Sequence, residues 1–160
     1  MPKKLLLVLI CIAVLFSLSS CGGPKYSHRE LVLNLPDSFE IKKSSDFDAV
    51  YTDGELFIGV LRISFAAALA DKIPETMTAT EFGELWNDRC QRYADVQNER
   101  GVTFSEYYDS YEGTDGYYFE AFYRSEYAYF VVLFATPVSY ENIKREEIFT
   151  YAEGIEWSYK

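Results

Sequence analysis

Residues 116–135 read GYYFEAFYRSEYAYFVVLFA, and this stretch decides the fold. Two runs rich in aromatic and β-branched residues, 117–124 and 127–136, flank the polar pair Ser125-Glu126, a pattern typical of two antiparallel strands joined by a tight turn. The second run is apolar at successive positions, with Tyr129, Val131 and Leu133 on one face and Phe130, Val132 and Phe134 on the other. The pattern therefore predicts a central strand that is covered on both sides.

The segments around this hairpin predict the rest of the sheet. Residues 102–111 form a strand joined to it by the turn-rich residues 112–116, which makes an antiparallel meander. Upstream, Leu31, Leu33 and Leu35 alternate along a first strand, and residues 39–42 form a second. Asp53-Gly54 then joins strands 48–52 and 55–65 in a hairpin. The predicted class is α+β, with a single antiparallel β-sheet.

Two helices are predicted to pack on the faces of that sheet. The first begins at Thr80 as N-cap, and Gly83 at the third position after it indicates that a capping box is absent. The second begins at Ser139 as N-cap and ends at Gly154. The apolar face of the first helix contains Phe82, Leu85, Trp86, Cys90 and Tyr93. Cys90 is therefore predicted to be a small buried hydrophobe.

The N-terminus has the three regions of a bacterial secretory signal. Lys3 and Lys4 precede the apolar run 5–18, which at about 14 residues is shorter than the roughly 20 that a membrane-spanning helix needs. Residues 18–21, Leu-Ser-Ser-Cys, resemble the lipobox of bacterial lipoproteins. That resemblance implies cleavage between Ser20 and Cys21 and a diacylglyceryl group on Cys21; the alternative is an ordinary secretory signal with a chance cysteine. We expect a signal over residues 1–20, a tether over 21–28 and one domain over 29–160.

The negative charge of the chain argues against anionic partners. The 160 residues carry a net charge of −10, and loss of Lys3 and Lys4 with the signal makes it −12. Such a surface repels nucleic acid and anionic lipid headgroups. The expected location is extracytoplasmic, with contact to the membrane made by lipid on Cys21.

The order of these elements resembles that of PsbP-like domains, a family that includes bacterial lipoproteins of the DcrB type. Residues 31–40, LVLNLPDSFE, are similar to the opening strand and Pro-Asp turn of that family. Residues 116–135 resemble its paired strands, and residues 146–160, EEIFTYAEGIEWSYK, resemble its closing helix and terminal segment. The resemblance covers about residues 29–160. It implies a sheet with helices packed on its faces and a role in assembly or binding, and it carries over no catalytic residue.

No catalytic, metal or cofactor motif is present in the sequence. A serine or cysteine nucleophile lacks a nearby base, because the one histidine, His28, lies beside the predicted tether. The acidic loop 109–116 lacks the ligand spacing of a calcium site. The carboxylates of the meander are expected to form a solvated face. We therefore expect a protein that is not an enzyme and that uses no cofactor and no metal.

Tyrosine is concentrated in the meander. Tyrosine combines a large apolar ring with a polar tip and is favoured at interfaces, so Tyr107, Tyr111, Tyr118 and Tyr127 are candidates for a partner surface. The alternative is that these residues form cross-strand pairs that only stabilise the sheet. The expected function is a non-enzymatic binding or assembly factor for an envelope protein. The alternative is a solute-binding or envelope-stress lipoprotein that holds a small ligand.

Overall fold

The computed structural model describes residues 25–28, 30–111 and 113–158. The predicted signal, the cleavage site between Ser20 and Cys21, and the lipidated Cys21 lie outside the described residues. Residues 25–28, which were predicted to end the tether, form a strand. No helix of the described part of the chain is both long and apolar enough to cross a membrane.

The described residues form ten strands, three α-helices and one 3-10 turn. The strands are β1 (Lys25–His28), β2 (Leu31–Asn34), β3 (Glu40–Lys42), β4 (Ala49–Thr52), β5 (Phe57–Ser64), β6 (Gln97–Glu99), β7 (Val102–Tyr111), β8 (Thr114–Arg124), β9 (Ala128–Pro137) and β10 (Glu156–Trp157). The helices are α1 (Phe65–Ala70), α2 (Ala79–Arg89) and α3 (Glu141–Glu153), and the 3-10 turn is Val138–Tyr140.

Seven strands form one antiparallel sheet in the order β3-β4-β5-β9-β8-β7-β6. β9 is the middle strand and is buried from Ala128 to Val132, so the prediction of a central strand covered on both faces is confirmed. The prediction of a single sheet is not exact, because β1, β2 and β10 form a separate three-stranded antiparallel sheet. The sequence predicts a short extended segment over residues 155–159, but local patterns carry no information on its pairing with the distant β2.

One face of the large sheet, which we call the covered face, is closed mainly by apolar contacts. α3 and the small sheet pack on it, and the Glu30–Arg62 and Glu106–Arg145 ion pairs also lie on this face. Its core contains Leu31 and Leu33 of β2 and Leu35 just after it, Phe104, Phe119, Phe130 and Phe134 from the large sheet, and Ile148 and Phe149 from α3, all at most 1% exposed. Phe104 and Phe119 stack with ring centroids 4.5 Å apart, and Phe149 meets both edge-on at 5.1 Å.

The opposite face, which we call the half-open face, is covered by α1 and α2 at one end. Phe82 of α2 stacks on Tyr129 of β9 with centroids 4.4 Å apart. Gly83 allows the close approach of α2 to the sheet, because a Cβ at this position would come within 2.7 Å of the Phe122 ring. The apolar cluster here comprises Ala68, Ile73, Phe82, Phe122, Tyr129 and Val131.

The predicted end points of the helices were only partly correct. α2 begins two residues earlier than predicted: Thr78 is its N-cap, and Thr78 and Glu81 form a capping box, so the assignment of Thr80 was wrong. α2 ends at Arg89, because Gln91 adopts a left-handed conformation with φ 55°. Cys90 is consequently exposed, not buried, and Tyr93 is fully exposed.

α3 differs from its prediction only at its start. Ser139 lies inside the 3-10 turn, and Tyr140 occupies the N-cap position without a side-chain hydrogen bond. The end at Gly154 is confirmed, since Gly154 is the C-cap residue and its N–H donates to the Thr150 carbonyl at 3.1 Å.

Candidate binding surface

The part of the half-open face that α1 and α2 do not reach forms the candidate site. From Ala128 to Thr136 every residue of the central strand β9 is buried except Leu133 and Ala135. Both face the half-open side, because side chains alternate along a strand and Tyr129 and Val131 lie on that side. The sheet therefore presents apolar surface at its own centre, where no helix covers it.

An open groove of about 410 Å³ lies over this region. Its walls and floor come from four strands and include Thr52, Phe57, Gly116, Tyr118, Ala135 and Pro137. A volume of this size lies within the range of sites that hold small molecules or single side chains. The groove lining contains Glu55 and no lysine, arginine or histidine. The groove thus combines an apolar floor with hydroxyl groups and one carboxylate.

A stack of two tyrosines borders the groove. Tyr107 of β7 and Tyr118 of β8 are register partners, and their rings stack at 5.3 Å with an angle of 8° between planes. The Arg92 guanidinium lies 5.0 Å from the Tyr107 ring centroid, on the chain that leaves α2. Tyr118 also covers Gly116, where a Cβ would come within 2.8 Å of the tyrosine ring. Gly116 therefore allows Tyr118 to lie flat along the groove.

A buried carboxylate lies beneath the end of this stack. Glu120 of β8 has a side chain only 3% exposed and pairs with Arg92. The Tyr107 hydroxyl donates to Glu120 Oε1 at 3.4 Å. Burial raises the pKa of Glu120, although the Arg92 charge and the hydrogen bonds oppose the shift. The Trp86 indole N–H is near enough to favour the ionised carboxylate, yet it is buried without a hydrogen bond of good geometry.

The polar cluster continues to α2. The Ser105 hydroxyl donates to Asn87 Oδ1 at 3.3 Å, and Asn87 Nδ2 donates to the Ala94 carbonyl at 2.8 Å. Such buried polar contacts fix the position of α2 relative to β7 and β8, because each group left unpaired would carry a desolvation penalty. The border between the covered and the open part of this face is therefore set by hydrogen bonds and an ion pair.

The four tyrosines predicted as a partner surface are not all in one place. Tyr107 and Tyr118 form the stack beside the groove. Tyr127 is 59% exposed in the turn between β8 and β9. It lies beyond Arg124, the end of β8, which is six residues and about 20 Å of strand from Tyr118. Tyr111 ends β7 opposite Thr114, and its side chain lies outside the described part. Tyr117 and Tyr129 are buried in the two cores, so some tyrosines of the meander do stabilise the sheet.

Several residues of the groove and its border were missed by sequence reasoning. Phe57, Leu133 and Ala135 were interpreted as ordinary strand residues, Gly116 as a turn residue, and Arg92 as a solvated helix residue. Their exposure depends on where α2 crosses the sheet, and periodicity carries no information on that. Gly116, two residues before Tyr118, is the one local signal of a close approach. No group of three or more histidine, cysteine or acidic side chains suited to a metal ion occurs among the described residues.

Comparison with known proteins gives information on the fold of this chain. No protein-family model and no curated protein matches the chain. Its fold is similar to that of a Bacteroides thetaiotaomicron protein, with a TM-score of 0.57 and 12% identity over 87% of this chain and 50% of that chain. This chain thus spans half the length of that protein.

A second similar structure is the cyanobacterial PsbP protein CyanoP from Synechocystis. The TM-score is 0.51 with 17% identity, over 89% of this chain and 99% of that chain. The chain therefore has a PsbP-like α+β fold, as the sequence resemblance implied. The likeness is one of fold.

Proposed function

We propose that this chain is a non-enzymatic binding protein, anchored by lipid on Cys21 outside the cytoplasmic membrane, that holds an envelope protein on its half-open face. The observation that carries the proposal is the uncovered centre of the sheet, where Leu133 and Ala135 lie beside the Tyr107–Tyr118 stack. Apolar surface bordered by polar residues is typical of interaction sites. The anchor is supported by the lipobox resemblance of residues 18–21.

The stack suits the surface to binding without rearrangement. Tyr107 is held by Arg92 on one ring face and by Tyr118 on the other. A side chain already fixed in the free protein loses little entropy when a partner binds, so more of the contact energy appears as affinity. The expected partner supplies an apolar or aromatic side chain to the groove, because the lining offers ring faces and hydroxyl groups but no cation.

The test compares two tyrosines, Tyr118 beside the groove and Tyr127 in the turn between β8 and β9. The full chain is cross-linked in its own cells, and the co-purifying proteins are identified by mass spectrometry for the wild type, Tyr118→Ser and Tyr127→Ser. We expect one dominant envelope protein, reduced at least about tenfold by Tyr118→Ser, the loss of one central contact worth about 1.4 kcal/mol. Tyr127→Ser is the matched control and is expected to leave the yield unchanged.

Two further measurements make the result decisive. Thermal unfolding of both variants establishes that neither loss reflects unfolding. Cys21→Ser is expected to abolish capture in the cell, because the partner is proposed to be reached from the membrane. Undiminished capture by a folded Tyr118→Ser variant would contradict the surface assignment, and undiminished capture by Cys21→Ser would contradict the role of the anchor.

The groove also supports a second candidate, a lipoprotein that holds a small ligand. Its volume of about 410 Å³ is within the range of small-molecule sites, and hydroxyl-bearing Thr52, Thr114 and Thr136 line it. A ligand that binds the folded chain raises its melting temperature. A thermal-shift screen of neutral and cationic solutes in which no compound raises the melting temperature, or in which the shift persists in Tyr118→Ser, would count against this candidate.

A further inference from the structure

The outer edge of β7 is unpaired along most of its length. On its inner side β7 pairs with β8 from Thr103 to Tyr111. On its outer side β6 pairs only with Val102, Thr103 and Phe104. Residues 105–111 therefore have a strand on one side only, within the part of the chain that the structure describes, and residues 108–110 are exposed. This edge is about 20 Å long, and within it the Ser110 N–H already donates to Asp109 Oδ1 at 2.8 Å.

This edge lacks most of the features that usually prevent strand addition. Natural edge strands are protected by charged side chains, lysine above all, and by proline, bulges or short length. Residues 105–111 read SEYYDSY and contain neither lysine nor proline, their register with β8 is continuous, and their charges are the acidic Glu106 and Asp109, which disfavour an acidic added strand. The β3 edge at the other side of the sheet differs, because it has only three residues and carries Lys42. Among the described strands, β7 is thus the one with a long edge at which a further strand could pair.

The side chains along this edge are acidic toward its far end. Glu106 and Glu120, near the β6 end, are paired with Arg145 and Arg92. Beyond them, Asp109, Asp115 and Glu141 have no cationic partner among the described residues. Their contacts are hydrogen bonds with neutral groups, such as the Tyr108 hydroxyl, which donates to Glu141 at 2.6 Å. The open end of β7 is therefore a negatively charged strand edge.

We infer that β7 accepts an extended basic peptide segment of the partner as an added strand. The backbone of that segment would pair with residues 105–111. Lysine or arginine on one face of the added strand would meet the Asp109 carboxylate, and on the other face they would meet the carboxylates of Glu141 and Asp115. A second copy of this chain is the wrong occupant, because each copy carries a net charge of −10 and would bring like charges together. The inference rests on the proposed binding role and names the chemistry of the partner.

Two peptides of equal charge test the backbone contribution. The full chain is titrated with Lys-Val-Lys-Val-Lys-Val-Lys and with Lys-Pro-Lys-Pro-Lys-Pro-Lys, in which proline removes every second N–H donor. Fluorescence anisotropy gives the affinities, and amide hydrogen exchange reports on residues 105–111. We expect the valine peptide to bind at least tenfold more tightly and to slow exchange along β7. Equal affinities, no binding of either peptide, or unchanged exchange would overturn the inference.

Two charge reversals test the side-chain contribution. Asp109→Lys is expected to weaken binding of the valine peptide at least fivefold. Glu126→Lys, an exposed site in the β8–β9 turn, changes the net charge equally and is expected to have little effect. Equal losses in both variants would show attraction to the whole molecule and would overturn the assignment to β7. Sedimentation that shows a dimer with protected β7 amides would overturn it as well.

The outcomes separate this inference from the proposed function. Tyr118→Ser alters the groove and leaves the outer edge of β7 intact, so it is expected to reduce partner capture while the valine peptide still binds. If Tyr118→Ser loses partner capture and the wild type binds neither peptide, the groove is supported as the binding site and strand addition at β7 is contradicted. If the wild type binds the valine peptide and Tyr118→Ser captures the partner undiminished, strand addition at β7 is supported and partner binding at the groove is contradicted.

Discussion

The covered face and the half-open face belong to the same seven strands but are closed in different ways. α3 and the small sheet close the covered face around a large apolar core, and the Glu30–Arg62 and Glu106–Arg145 ion pairs lie beside that core. α2 crosses the half-open face and stops at a polar cluster around Glu120, beyond which Leu133 and Ala135 remain partly exposed. We propose that the first face provides stability and that the second provides the surface for binding.

The buried cluster sharpens this contrast. Replacing a buried ion pair with apolar side chains of similar volume is often neutral or stabilising, so a pair such as Arg92–Glu120 is not needed for stability alone. Proteins depart from the most stable arrangement mainly at functional sites. The cluster adjoins the Tyr107–Tyr118 stack, since the Tyr107 hydroxyl hydrogen-bonds to Glu120. The polar contacts at this place thus position an exposed aromatic surface.

The largest expected effect comes from core truncation on each face. Phe119 is fully buried on the covered face, stacked on Phe104 and in edge contact with Phe134 and Phe149. Phe119→Ala is expected to lower the free energy of unfolding by about 3–5 kcal/mol. Leu133→Ala on the half-open face is expected to lower it by less than about 2 kcal/mol, because Leu133 is already partly exposed. Urea titration measures both values, and equal losses would contradict the proposed difference between the faces.

A smaller effect distinguishes two carboxylates on the two faces. Burial raises the pKa of Glu106, but hydrogen bonds from Arg145 and Tyr117 and the Arg145 charge outweigh it and hold this pKa below its usual range. Glu106 therefore contributes stability above about pH 4.3, the usual value in an unfolded chain, and this is lost as the pH falls through the folded pKa. Glu106→Gln is expected to lose about 1.5–3 kcal/mol at pH 7.

Glu120 is expected to behave in the opposite sense. Its pKa is raised by burial, so its contribution is present below about pH 4.3 and declines as the pH rises through the folded pKa. Glu120→Gln is therefore expected to gain stability relative to the wild type as the pH increases from 4 to 7. Urea denaturation at several pH values measures both variants. Parallel pH profiles for Glu106→Gln and Glu120→Gln would contradict the assigned difference between the two faces.

The smallest effect concerns the start of α2, the helix that leaves the half-open face partly uncovered. The Thr78 hydroxyl accepts a hydrogen bond from the Glu81 N–H at 3.2 Å, and Glu81 accepts one from the Thr78 N–H at 2.8 Å. Thr78→Ala is expected to cost about 1 kcal/mol of stability. Thr80→Ala, the matched control inside the helix, is expected to change stability by less than about 0.5 kcal/mol. Thermal unfolding measures both stability losses. A larger loss for Thr80→Ala than for Thr78→Ala would contradict the assignment of Thr78 as the N-cap.

The sequence predicts the elements whose signals are local. The meander and the central strand β9 follow from alternation and turn residues, and Gly154 marks the end of α3. The N-cap of α2 was placed two residues too late, because Thr78 and Thr80 are both plausible caps. The exposure of Cys90 follows from the left-handed Gln91, which the helical pattern of residues 82–93 conceals.

The candidate site is predicted less completely than the fold. The pairing of Tyr107 with Tyr118 follows from the meander register, and both residues were predicted to lie on a partner surface. The groove beside them depends on packing between distant segments, namely the crossing of α2 and the approach of β5 to β9. No local pattern encodes how far a helix extends over a sheet, so Leu133 was interpreted only as a core residue.

The most direct test of the central claim places a photo-cross-linking phenylalanine derivative at one residue of the full chain in its own cells. Leu133 represents the half-open face, and Ile143, which is 69% exposed on α3, represents the side of the covered face. We predict one dominant adduct with an envelope protein from position 133 and none from position 143. An adduct from position 143 alone, or equal adducts from both positions, would contradict the claim that the half-open face is the binding surface.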